Sequence, residues 1–358
     1  MADIKLGFGL YRHMLNTENY RFARQCGATH AVVHLTDYFA GGEHEGRDDQ
    51  PVGDADGWGV AGNTDGLWSV DYLSRIREEM AEEGLKLSAL ENFDPALWSD
   101  VLLDGPRRDE QIEELRGIIR NIGAAGIGIM AYNFSIAGVA ARIHGPFARG
   151  GAVSVGVDGE DRTPIPRGMI WNMRLGELSR DEVLPEISHR ELWRRLERFL
   201  ADLLPTAEEA GVRLALHPDD PPFERVRGQP RLVYQPYMYR NLLEISPSRS
   251  NAIELCLGTL QEMTEGDVYE ALEEYTRGGR VAYIHFRNVR GKVPRYHEVF
   301  LDEGDLDTAR VVEILRRNHF DGFIIPDHTP QMSCAAPWHA GMAYAMGYMR
   351  ALLTTVRC

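Results

Sequence analysis

Cysteine is scarce: four thiols in 358 residues (Cys26, Cys256, Cys334 and Cys358), with no CxxC spacing, do not make a disulfide scaffold. Positive charge is also short. Lys and Arg number 39 against 54 Asp and Glu, a net charge of −15. That balance repels phosphate backbones and anionic lipid, so neither nucleic acid nor membrane is expected as a partner. No apolar run approaches the ~20 residues that cross a bilayer, and no basic-then-apolar leader is read, so a cytoplasmic location is expected. No GxGxxG follows the first apolar run, which counts against an open, Rossmann-like sheet, the structural alternative.

What is present is a globular composition, 44% hydrophobic and 26% charged, and a repeated alternation. Short β-branched or apolar runs at 5–9, 31–35, 86–90, 128–132, 213–217, 252–256, 281–285 and 322–326 predict eight strands. Amphipathic segments lie between them. Residues 69–84, 108–126 and 189–211 carry helix punctuation, such as Ser69 ahead of Leu73, Ile76 and Met80, with Gly84 behind. Eight βα units predict one α/β domain over residues 1–358, a (β/α)8 TIM barrel. The connections after strands two and four, 37–67 and 133–188, are long, and on a barrel both lie at the catalytic face.

Polar residues recur at the carboxyl ends of these strands: Glu91 after the third, Asn133 after the fourth, then His217, Cys256, His285 and Asp327 on the last four. In a parallel barrel those ends converge on one mouth. A lone His or Cys there is more often a core residue than a ligand. Four at equivalent positions point instead to a divalent ion such as Mn²⁺, Co²⁺, Fe²⁺ or Zn²⁺, because a thiolate disfavours Mg²⁺ and Ca²⁺. In the string His217–Pro218–Asp219–Asp220–Pro221–Pro222, either carboxylate can orient the imidazole, and an acidic turn is the plainer reading of Asp220. His328 beside Asp327 is a candidate for proton transfer or a brace for its neighbour. Tyr11 and Arg12 after the first strand, and Arg287 past His285, would present phenolic and cationic groups to an anionic substrate. His297–Glu298 and Gly304–Asp305 read as a polar loop, with Asp305 a possible helix cap.

These strings, together with Tyr132–Asn133–Phe134, Gly258, Asp307 and Pro326–Asp327–His328, are similar to those of the mannonate dehydratase family. The resemblance implies a xylose-isomerase-like barrel that converts D-mannonate to 2-keto-3-deoxy-D-gluconate and water. It implies metal binding by His217, Cys256, His285 and Asp327, with Mn²⁺ the usual ion, and proton transfer by His328. It adds Asn133 and His297 to Tyr11, Arg12 and Arg287 as substrate-binding candidates. Three departures stand out. Ser135–Ile136–Ala137–Gly138–Val139 replaces the family's Met-Pro-Val continuation, Leu301 stands where a family histidine is expected, and Met342 follows Gly341 where the family has a catalytic tyrosine, leaving Tyr344 as the candidate replacement. The expected activity is a metal-dependent sugar-acid dehydratase with a small-molecule sugar acid as partner. The alternatives are a sugar isomerase or epimerase and a catalytically silent sugar-acid binding homologue. Homo-oligomer formation is compatible with such a barrel.

Overall fold

The computed structural model describes residues 3–42, 57–62, 64–179 and 181–356. Cys358 and most of the acidic, glycine-rich stretch of the first long connection lie outside them.

Eight parallel strands close into a barrel: β1 (Lys5–Tyr11), β2 (His30–His34), β3 (Lys86–Glu91), β4 (Ile129–Tyr132), β5 (Arg213–Leu216), β6 (Asn251–Cys256), β7 (Val281–His285) and β8 (Phe323–Ile325). Each pairs with its neighbours in sequence, and β1 closes the ring by pairing with both β2 and β8. The expected runs and these strands agree to within two residues. His217 and Asp327 fall just past their strands, while Cys256 and His285 are terminal strand residues.

A principal helix follows each strand: α1 (Thr17–Gln25), α2 (Val70–Glu82), α3 (Arg108–Ala124), α4 (His189–Ala210), α5 (Tyr239–Ile245), α6 (Val268–Arg277), α7 (Thr308–Arg317) and α8 (Pro337–Thr355), with the short helices Ser99–Leu103 and Leu257–Glu262 leading into α3 and α6. Helix α4 shows why. Its N-cap Ser188 accepts from the Glu191 amide, and Leu192, Leu196, Phe199 and Leu203 are buried along one face. Gly211 at φ 68° ends the helix in the left-handed region that glycine adopts without penalty. Each such Leu or Phe side chain contributes about 1.5–3 kcal/mol on burial.

The barrel interior is filled by small residues on alternating positions, including Ala89, Ala131, Ala215, Ala252 and Ala282, with Tyr283 stacked on Phe323. Space is tight there: a Cβ on Gly7 would sit 2.7 Å from Ile325 Cγ2. No described helix is long and apolar enough to cross a membrane.

One feature was not expected from the sequence. Residues Asn288–Lys292, Arg295–Val299, Ala152–Asp158 and Ile143–Ala148 form a four-stranded antiparallel sheet that ties the long connection after β4 to the one after β7. His297 and Glu298 are therefore strand residues and not part of a polar loop. Asp305 is not the cap of α7; Asp307 is, accepting from the Ala309 and Arg310 amides, while Asp305 accepts from Gly291 N in the hairpin.

Candidate functional site

The carboxyl ends of the strands surround one cavity, lined by Tyr11, His34, Glu91, Asn133, His217, His285, Asp327 and His328 among others. Ligand atoms of His217, Cys256 and His285 all lie within 4.8 Å of one another. Asp327 borders this set, its Oδ2 3.5 Å from His285 Nδ1.

Each donor is aimed from behind. His217 Nδ1 lies 2.6 Å from the Pro218 carbonyl, which fixes that nitrogen as an N–H and turns Nε2 toward Cys256. The backbone carbonyl, and neither following carboxylate, orients this ring. Asp219 accepts from the Leu232 and Val233 amides instead and shapes the loop. His285 lies between two carboxylates, its Nε2 2.7 Å from Glu254 Oε1 and its Nδ1 3.5 Å from Asp327 Oδ2; both ring nitrogens are buried and neither makes a hydrogen bond of good geometry. Glu91, Glu254 and His285 form a second close set, but the Tyr283 hydroxyl bonds to both carboxylates, so they read as a brace.

Burial alone would raise the Cys256 thiol. The Arg287 guanidinium, 3.3 Å from Sγ, and the two imidazoles overcome that and hold it well below the ordinary thiol range, so sulfur stands as thiolate. Asp327 is likewise held well below the carboxylate range, with His328 and His285 outweighing burial. Against burial, the neighbouring carboxylates raise the pKa values of His217 and His285, and the thiolate adds to this for His217, so both rings lean to the protonated form. A thiolate, a carboxylate and two imidazoles that give up those protons to a cation are a donor set that fits a borderline divalent ion.

Arg287 sits behind this set. Its side chain is 1% exposed, and it reaches Asp220 (2.8 Å), Glu298 (2.5 Å), Glu262 (3.1 Å) and Thr259 (2.9 Å) as well as Cys256. It approaches so closely that a Cβ on Gly258 would meet its Nε at 2.7 Å. Arg287 is thus spent on protein carboxylates and does not line the cavity. Asp220 is no solvated turn: it is buried and takes Arg142 Nη2 at 2.5 Å and the Tyr296 hydroxyl at 2.9 Å. Burial would raise its pKa, but Arg142 and Arg287 bring it below the usual range.

His328 lies in the cavity with Nδ1 2.6 Å from Glu298 Oε2 and Nε2 3.1 Å from Asp327 Oδ2. Burial lowers its pKa, but these two carboxylates more than offset that and raise it.

Tyr11 and Asn133 line the cavity, and Asn133 also accepts from Trp171 Nε1 at 3.1 Å. Arg12 enters a short 3-10 turn and is not a lining residue. His297 is stacked on Phe147 in the outer sheet, with ring centroids 4.0 Å apart. Tyr344 is half-buried on α8 against Phe300, accepting from Arg149 Nη2 at 3.3 Å, away from the lining. Met342 is buried in the core.

The sequence reading missed His34, Tyr38, Trp58, Trp171, Arg142 and Glu254. His34 is the last residue of β2 and obeys the same strand-end rule, hidden by a one-residue shift in the expected boundary. Glu254 stands two residues before Cys256, on the same face of β6. Trp171 and Asn172, at φ 53° and 55°, form the two-residue turn of a small hairpin, a strained conformation that puts the indole beside Tyr38.

Residues 59–143 and 163–356 match the D-mannonate dehydratase (UxuA) family. The chain belongs to that family. Membership places it among the hydro-lyases. It is 30% identical over 277 residues to the mannonate dehydratase of Streptococcus pneumoniae (strain 70585), a match covering 73% of this chain and 74% of that one. The crystal structure of mannonate dehydratase from Streptococcus suis serotype 2 superimposes with TM-score 0.71 at 24% identity, covering 99% of this chain and 93% of that one. The barrel is shared more widely: an L-ribulose 3-epimerase structure gives TM-score 0.57 at 15% identity, covering 99% and 96%.

Proposed function

We propose that this family member is a divalent-metal-dependent sugar-acid dehydratase that converts D-mannonate to 2-keto-3-deoxy-D-gluconate and water. The observation that carries the reading is the convergence of His217, Cys256 and His285, with Asp327 at their edge, on the cavity that also holds His328. These four residues would hold the ion, Mn²⁺ by preference. When bound, it supplies a Lewis acid that stabilises the negative charge building on the carboxylate side as the neighbouring proton leaves.

The chain's own groups supply the rest. Arg142 lines the cavity while anchored on Asp220, and its positive charge suits the substrate carboxylate. Tyr11 and Asn133 offer hydrogen bonds to substrate hydroxyls. His328, held between Asp327 and Glu298 with a raised pKa, gives its proton to the departing hydroxyl. Closing the cavity with Trp58, Trp171 and Tyr38 limits water around the enol.

The test is purified protein stripped with chelator, then supplied with Mn²⁺ and D-mannonate, with product mass and metal content followed together. Mn²⁺ should restore a product lighter by one water, and Cys256→Ser should lose both the bound metal and turnover. A product of unchanged mass would make the protein an isomerase or epimerase. Unaltered metal content and turnover in Cys256→Ser would overturn the assigned metal set.

A further inference from the structure

Among the described residues four imidazoles line the cavity, and the roles given above to His217, His285 and His328 leave His34 idle. His34, at the end of β2, lies two strands from Asp327 around the ring, with Tyr11 of the intervening β1 between, its ring centroid 5.0 Å from that of His34. His34 Nε2 faces the Glu91 carboxylate at 3.5 Å, which favours the tautomer with its proton on that nitrogen. Nδ1 is then the acceptor, and it lies 3.0 Å from the Tyr38 hydroxyl. The same phenol oxygen receives a hydrogen bond from Asn92 Nδ2 at 3.0 Å. Asn92 sits at φ 62° just past β3, a left-handed position that asparagine tolerates better than most residues, and that turn delivers its amide to Tyr38. The ring of Tyr38 is gripped by Trp171, stacked at 5.7 Å, and by Trp58, edge-on at 6.1 Å. A carboxylate, an imidazole and a hydroxyl in series, with the hydroxyl on the cavity wall, have the arrangement in which a base activates an otherwise weak oxygen.

We infer that Tyr38, acting through His34 and aligned by Glu91 and Asn92, is the group that removes the proton next to the substrate carboxylate. The proposal rests on the dehydratase reading above. The phenol oxygen takes the carbon-bound proton while its own proton passes to His34 Nδ1. The C–H electron pair becomes the carbon–carbon double bond of the enol. The C–O bond to the neighbouring hydroxyl breaks, and that oxygen leaves as water with a proton from His328. Ketonisation then takes up one proton at carbon and releases one at oxygen, and exchange with solvent returns the two histidines to their starting states. Burial sets the resting state: it keeps the Tyr38 phenol well above its ordinary value, hence protonated, and pushes His34 down, hence neutral, so the relay rests on the 3.0 Å hydroxyl–imidazole contact and not on matched acidities. The phenol thus enters the site from the loop after β2, whereas position 342 in α8 holds a buried methionine.

The test compares wild type, Tyr38→Phe, His34→Gln and the double variant, all loaded with Mn²⁺, using D-mannonate and its 2-deuterated form. Tyr38→Phe keeps the ring between the two tryptophans, so folding and substrate affinity should hold while kcat falls about 100-fold or more. The deuterium isotope effect on kcat should rise as proton removal becomes rate-limiting. The double variant should be no more than about threefold worse than Tyr38→Phe, because residues acting in one relay do not lose activity additively. A Tyr38→Phe protein within threefold of an active wild type, or one changed only in KM, overturns the proposal alone, and so do fully multiplicative losses. A wild type inert toward every sugar acid refutes the dehydratase reading and this proposal with it, which separates the two failures.

Discussion

From β5 to β8 the mouth of the barrel is built of charge: a thiolate, Asp220, Asp327 and Glu298 packed around Arg287, with Glu262, whose pKa burial raises, beside them and Arg142 reaching in from the loop after β4. From β1 to β4 it is built largely of rings, with Tyr11, Tyr38, Trp58 and Trp171 in mutual contact and His34 and Glu91 as the main titratable groups among them. The two halves answer different demands. Buried carboxylates that aim metal-capable ligands need compensating cations at fixed positions, because an unpaired buried charge costs several kcal/mol. A wall that holds a sugar chain and excludes water needs area and shape, which aromatic rings supply at little entropic cost.

If the charged half is one interlocked unit, Arg287→Met should give the largest effect of any single change here. It leaves Asp220, Glu262 and Glu298 without their shared partner and should cost about 3–5 kcal/mol in denaturant unfolding. A loss under 1 kcal/mol would show that the carboxylates take up protons and that the contrast between the halves is overstated.

Acid should distinguish the halves next. Asp220 and Glu298 both sit below the ordinary carboxylate range in the folded protein, with Arg142 and Arg287 prominent for the first and His328 and Arg287 for the second, each outweighing burial. Their folded values are lower than their unfolded ones near 4, so the unfolded chain takes protons first as pH falls. Their stabilisation is therefore full above that value and is lost as pH drops through the folded values. Arg142→Met should shift the acid-unfolding midpoint upward, read by ellipticity against pH, whereas a change confined to the ring half should leave it in place.

The smallest effect is expected from Trp171→Phe, which keeps the stacked ring but deletes the Nε1 bond to Asn133. About 1 kcal/mol is at stake, or roughly fivefold in KM, with unfolding nearly unchanged. A large loss of stability instead would mean that the aromatic wall also holds the barrel together.

How legible this was differs by element. The eight strands were readable because parallel barrel strands are buried on both faces and stand out as short apolar runs. The outer sheet was not, because Asn288–Lys292 and Arg295–Val299 carry polar residues on a two-sided ribbon whose other strands lie far back in the chain, at 143–158. Arg287 looked like a substrate anchor because its position past β7 was readable while the carboxylates that surround it were not. Arg142 carried no motif at all, and the loop that brings it to Asp220 departs from the family pattern.

Period and punctuation in the chain were enough to decide the barrel, the order of its strands and the set of metal-capable residues at their ends, since these follow from local burial and from the rule that parallel strands share one mouth. Folding alone decided which cations are consumed by protein carboxylates, which groups each histidine nitrogen faces, and which hydroxyl meets an imidazole. Those outcomes depend on ångström distances between residues as far apart in sequence as His34 and Glu91 or Arg142 and Asp220, and no local pattern encodes them.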